Sequence, residues 1–107
     1  MLTLEACKAL KELGYPQGEP GVVYRVADGH VFWSYGGTWS GLVACPDSVD
    51  ALDWLAAKYG TGYPWTREDD GDALVYGLIV TGVELVGLTP SDLILEVAKC
   101  VSTSPAP

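Results

Sequence analysis

The chain has 107 residues, 49% hydrophobic and 19% charged, which is enough for one globular domain that buries most of its unfolded surface without disulfides or metals. Fourteen acidic residues against six basic ones give a net charge of −8, which opposes binding to a phosphate backbone and sets nucleic acid aside as a partner. An acidic surface serves solubility, or draws in a basic partner surface.

Around residues 3–13, a period of 3.6 places Leu2, Ala6, Leu10 and Leu13 on one stripe, with Cys7 and Ala9 beside it and Glu5, Lys8, Lys11 and Glu12 opposite. Thr3 is the N-cap, and Gly14 followed by Pro16 supplies the stop. The stretch "VVYRVADGHVFWSY" then reads as two strands about Asp28-Gly29, a pair suited to a two-residue type I′ turn. That turn would set Val26 against Val31, Tyr24 against Trp33 and Val22 against Tyr35 on an apolar core face. Trp33 and Tyr35 are therefore expected in the core. Phe32 is expected on the mixed face over Arg25, and Trp39 lies beyond the strand in "GGTWSG".

"CPDSVDALDWLAAKYG" reads as a second helix, capped by Asp47 or Ser48 and ended by Gly60. Val49, Leu52, Leu55, Ala56 and Tyr59 form its core stripe. Trp54 falls on the other side, among Asp50, Asp53, Ala57 and Lys58. The fold as drawn leaves that ring unused unless a neighbouring loop covers it. A second hairpin follows about Asp70-Gly71, with Trp65 opposite Tyr76 and Tyr63 opposite Leu78, so Trp65 is expected in the core. "GYP" occurs at 14–16 and again at 62–64, each time after a helix, but shared helix-stop chemistry explains this as well as a duplication does. "TGVELV" is a candidate extra strand. In "GLTPSDLILEVAKC", Thr89 caps a last helix with Pro90 at its first position. The expected fold is α+β in the order αββαββα, with antiparallel hairpins in one sheet and three helices largely on one face. One domain over residues 1–101 and a flexible tail over 102–107 complete it.

"LKELGYPQ" at the end of the first helix and "TPSDL" at the start of the last resemble a group of small proteins encoded by tailed phages and prophages, which carry a similar helix stop and a "TPEEA"-type helix start. The likeness spans most of the chain but consists of helix-start and helix-stop signals. It implies a phage origin rather than an activity, and no functional residue carries over. The segment "DLILEVAKC" departs from the Ala- and Trp-containing helices of that group.

Most chemical motifs fail on inspection. "REDDGD" is acidic enough for calcium, but with Gly71 at the sixth loop position the first and twelfth ligands would be Thr66 and Gly77. No phosphate-binding glycine loop is present, and no cofactor is implied. Cys7, Cys45 and Cys100 form no C-x-x-C pair, so no metal site is expected. With no basic leader and no run approaching a membrane span, the default setting is the reduced cytoplasm, that of the host if the protein is phage-encoded. Cys45 lies just before a helix N-terminus that would lower a thiol pKa, which leaves open a small cysteine enzyme, but nothing in the sequence brings His30, the only histidine, to it. A homo-oligomeric structural protein is a third reading. The leading expectation is a non-enzymatic accessory protein that binds a host or phage protein. Trp54 is its anchor, Asp50 and Asp53 supply charge, and Phe32 and Trp39 are further contact residues.

Overall fold

Each helix begins and ends where local chemistry dictates. In the first, α1 (Leu4–Glu12), the Thr3 hydroxyl accepts from the Ala6 N–H. Its end is a Schellman motif: Gly14 takes φ 102°, and the Tyr15 N–H donates to the Leu10 carbonyl. Asp47 caps α2 (Ser48–Tyr59) by accepting from the Val49 N–H. Thr89 caps α3 (Pro90–Thr103) through the Asp92 N–H, with Pro90 first in the helix. The structure, a computed structural model, describes residues 1–60, 64–71 and 73–103. Ser102 and Thr103 belong to α3 and not to the tail expected from residue 102.

Six strands accompany these helices: β1 (Gly21–Arg25), β2 (Val31–Ser34), β3 (Leu42–Ala44), β4 (Thr66–Asp70), β5 (Ala73–Val80) and β6 (Val83–Gly87). The α+β class holds, but the strands form two three-stranded antiparallel sheets, ordered β2-β1-β3 and β4-β5-β6, where one was expected. The candidate strand in "TGVELV" is β6. Strand β3 went unread, although "LVAC" is a short apolar run after a glycine. The helices join the sheets: α1 packs on β3 and α3, and α3 packs on β5 and β6. The shared core contains Leu2, Leu10, Leu52, Leu55, Leu78, Leu93, Ile94 and Val97.

Both Asp-Gly hairpins differ from expectation by two residues of register. In the first, Tyr24 pairs with Val31 and Val22 with Trp33. The Arg25 N–H donates to the His30 carbonyl, so Val26–Gly29 form a four-residue loop. Asp28 explains it, because its carboxylate takes a bidentate contact from the Arg25 guanidinium at 3.0 and 2.6 Å and another from the His30 N–H. The slip preserves each residue's face but moves Trp33 one pair away from the core. Trp33 is consequently 59% exposed and Tyr35 89%, which corrects their assignment to the core. Arg25 is engaged with Asp28, and the Phe32 ring stacks instead on His30, with centroids 5.9 Å apart.

The second hairpin closes between Asp70 and Ala73, which sets Arg67 opposite Tyr76. Trp65 precedes β4, yet still stacks on Tyr76 at 6.3 Å and packs half-buried against the core. The Tyr63 pairing lies outside the described residues. Among the described residues, a two-residue turn with both φ values positive occurs at Thr81-Gly82, between β5 and β6, with φ of 51° and 80°. Among the described residues, no helix is long and apolar enough to cross a membrane.

Candidate functional site

The helix stop after α1 begins the site. Because Gly14 turns the chain through a left-handed conformation, Tyr15 swings over α2 and meets Trp54 edge-on, with ring centroids 5.1 Å apart. From the other side, Tyr59 approaches Trp54 at 6.4 Å, and the Lys58 ammonium lies 4.9 Å from its ring centroid. Lys58 and Tyr59 both donate to the Leu13 carbonyl at the end of α1, which locks the two helix ends together. Trp54 is thus half-buried against the core and not the free ring expected from its helix face.

Gln17 ties the following loop down. Its amide nitrogen donates to the Tyr15 carbonyl, and its amide oxygen accepts from the Ala44 N–H on β3. Further on, the Gly37 N–H donates to the Gly18 carbonyl. A Cβ on Gly18 would lie 2.7 Å from the Gly37 oxygen, so this crossing of two loops requires glycine. The same crossing accounts for Gly36 of "GGTWSG", whose Cβ would lie 2.9 Å from the Gly18 oxygen and 3.1 Å from the Pro20 nitrogen. These glycines let the segment pass close enough to set Trp39 beside the 15–21 loop.

The result is a cleft of about 250 Å³ walled by Tyr15, Trp39 and Trp54, with Pro16, Pro20 and Pro46 around it. Glu19 lines it directly. Burial raises the Tyr15 phenol above its usual range, and the Asp50 and Glu19 carboxylates push the same way, so both charges are felt at the cleft. The Trp39 indole N–H is buried without an acceptor among the described residues. Apolar surface continues outward from the cleft, since Val22 forms part of its wall and pairs directly with the exposed Trp33.

Of the five residues expected at a binding surface, the structure brings Trp54 and Trp39 to this cleft, while Asp50 does not line it and acts there only as a charge on Tyr15. Asp53 is elsewhere, accepting from the Trp65 indole N–H at 2.7 Å, and Phe32 stacks on His30 outside the cleft. Tyr15, Glu19 and the three prolines were missed. For all but Pro46 the signal was present in the proline spacing of "GYPQGEP", but only the Schellman geometry aims it at α2.

Cys45 also borders the cleft. Its N–H donates to the Val22 carbonyl at one end of β1, whereas His30 sits beyond Arg25 at the other end, roughly 10 Å away along the strand. A Cys45–His30 pair is not assembled. Among the described residues, no group of three or more His, Cys, Asp or Glu side chains could hold a metal ion. Scans of family models, curated proteins and solved structures find no match to the chain.

Proposed function

We propose that this chain is a small, non-enzymatic accessory protein of the phage type that acts by binding another protein, and that its cleft receives a basic segment of that partner. The observation that carries this reading is the apolar strip running from Trp33 through Val22 into the Tyr15–Trp39–Trp54 cleft lined by Glu19. Aromatic faces attract cations, most strongly where water is excluded, and a carboxylate lining the cleft adds to that attraction. The net charge of −8 steers a basic surface toward it over a longer range. A buried aromatic anchor within a charged rim is also the usual anatomy of a binding hot spot. The phage origin is supported by the resemblance carried by "LKELGYPQ" and "TPSDL".

The test is a tryptophan-fluorescence titration with paired synthetic peptides of equal length, one set rich in Lys and Arg and the other in Glu. Basic peptides should bind, and bind more tightly at low salt. Trp54→Ala and Glu19→Gln should each weaken binding by about tenfold or more, whereas Phe32→Ala should not. Equal binding of acidic peptides, or full affinity in Trp54→Ala, removes the reading. So does sedimentation showing that Trp33 serves only to pair two copies of the chain.

A further inference from the structure

The cysteines carry an inference independent of peptide binding. Cys7 on α1 and Cys45 directly after β3 are both buried in one core cluster, where α1 packs on β3, near enough for each thiol to act on the other's proton. Cys7 is fully enclosed. Cys45 is 5% exposed and borders two surface depressions, the aromatic cleft and a shallower one formed with Met1, Val22, Pro46, Asp47 and Ser48. Cys45 is therefore the member of the pair nearer the surface, and Cys7 lies deeper.

The electrostatics rank the pair in the same order. Interaction with the Cys7 thiol lowers the Cys45 thiol pKa, as does the Leu2 N–H, while burial opposes both. The same interaction raises Cys7, and burial adds to it. Cys45 is thus the favoured thiolate and Cys7 the proton-holding partner. The Tyr24 hydroxyl, bonded to the Leu2 carbonyl at 2.6 Å, packs over this part of the core.

We propose that Cys7 and Cys45 form a two-electron redox site, oxidised by hydrogen peroxide or a small organic hydroperoxide. The Cys45 thiolate attacks one peroxide oxygen, the O–O bond breaks, and the departing hydroxide (or alkoxide) takes a proton, leaving Cys45 as the sulfenic acid. The Cys7 sulfur then attacks the Cys45 sulfur, forming the S–S bond and displacing hydroxide, which leaves as water with the Cys7 proton. In sum, two thiols and one hydrogen peroxide give one disulfide and two waters. The two cysteines share one core cluster across the α1–β3 seam, so disulfide formation asks the sulfurs only to close to a bond of about 2.05 Å. A dithiol reductant reverses the reaction by exchange.

The experiment uses the full chain, freshly reduced, with one equivalent of hydrogen peroxide, followed by tryptic digestion without reductant. Cleavage after Lys8, Arg25, Lys58 and Lys99 separates the three thiols into fragments 1–8, 26–58 and 100–107. The expected product is a monomer two hydrogens lighter, with fragment 1–8 linked to 26–58, formed about tenfold faster than oxidation of Cys100 and reversed by dithiothreitol. Cys100→Ser should leave that product unchanged. Cys7→Ser should stop at a Cys45 sulfenic acid that dimedone traps. If that variant does not fold, linkage mapping of the wild type decides alone. Free Cys7 and Cys45 after Cys100 has been consumed, linkage only between molecules, or linkage only in urea would each overturn the proposal.

Discussion

The two sheets start from nearly the same words and end as different objects. Each is preceded by a helix that stops near a Gly-Tyr-Pro, and each contains an Asp-Gly. In the N-terminal sheet the first strand is central and is flanked by β2 and β3, whereas the C-terminal sheet is a plain meander with β5 in the middle. The difference argues against a duplicated unit. In the N-terminal sheet, Asp28 is claimed by Arg25 and the His30 N–H, which opens the loop to four residues. In the C-terminal sheet, the β4–β5 ladder closes one residue past the expected turn, at Asp70 and Ala73, and a tight reversal with two positive φ values falls on Thr81-Gly82, a dipeptide with a weaker signal than either Asp-Gly. A turn dipeptide says that the chain reverses nearby. It does not say which residue pairs close the ladder.

The largest expected effect separates the sheets by what they bury. Leu78 lies in the central strand of the C-terminal sheet and is 2% exposed, so Leu78→Ala should cost about 2–5 kcal/mol in urea unfolding. Trp33→Ala, in an edge strand of the N-terminal sheet, should cost less than about 1 kcal/mol despite the larger side chain removed. Equal losses at both positions would restore the register in which Trp33 faces Tyr24.

Next comes the seam between β6 and α3. A Cβ on Gly87 would lie 2.5 Å from the Leu93 nitrogen and 3.0 Å from the Asp92 Cβ, so Gly87→Ala should destabilise by about 1–3 kcal/mol. Its readout is the unfolding midpoint, and an unchanged midpoint would mean that the C-terminal sheet is not pressed against α3 there.

Thr81→Asn should act in the opposite direction. A β-branched residue at φ 51° is strained, and asparagine tolerates that conformation. The variant should gain about 1 kcal/mol, seen as a higher melting temperature, and no gain would argue against the tight turn.

The smallest effect tests the wide loop. The Arg25 guanidinium, then the His30 N–H, holds the Asp28 carboxyl down at about 2, below its ordinary 3.8. A depressed carboxylate pKa stabilises the fold above the unfolded value, and that contribution is lost as pH falls from about 4 toward 2. Asp28→Asn should therefore lose less stability than the wild type across that acid window. The difference will be small, because the pair is exposed and salt screens it. Identical acid melting curves would mean that Asp28 does not hold the loop open in solution.

Local chemistry by itself determined the helices, their caps at Thr3, Asp47 and Thr89, the stop at Gly14, and which residues share a face of each hairpin. These depend on contacts a few residues apart, and a two-residue slip leaves the faces intact. Tertiary structure decided which part of each face is covered, and so exchanged the roles of two tryptophans: Trp33 went to solvent and Trp54 beneath Tyr15. It also assembled everything with chemical interest. Tyr15 reaches Trp54 only because Lys58 and Tyr59 clasp the end of α1. Trp39 reaches them where Gly18 and Gly36 let two loops touch. Cys7 meets Cys45 only where α1 lies on β3, a strand whose partner is chosen by packing across the chain rather than by any neighbour in sequence.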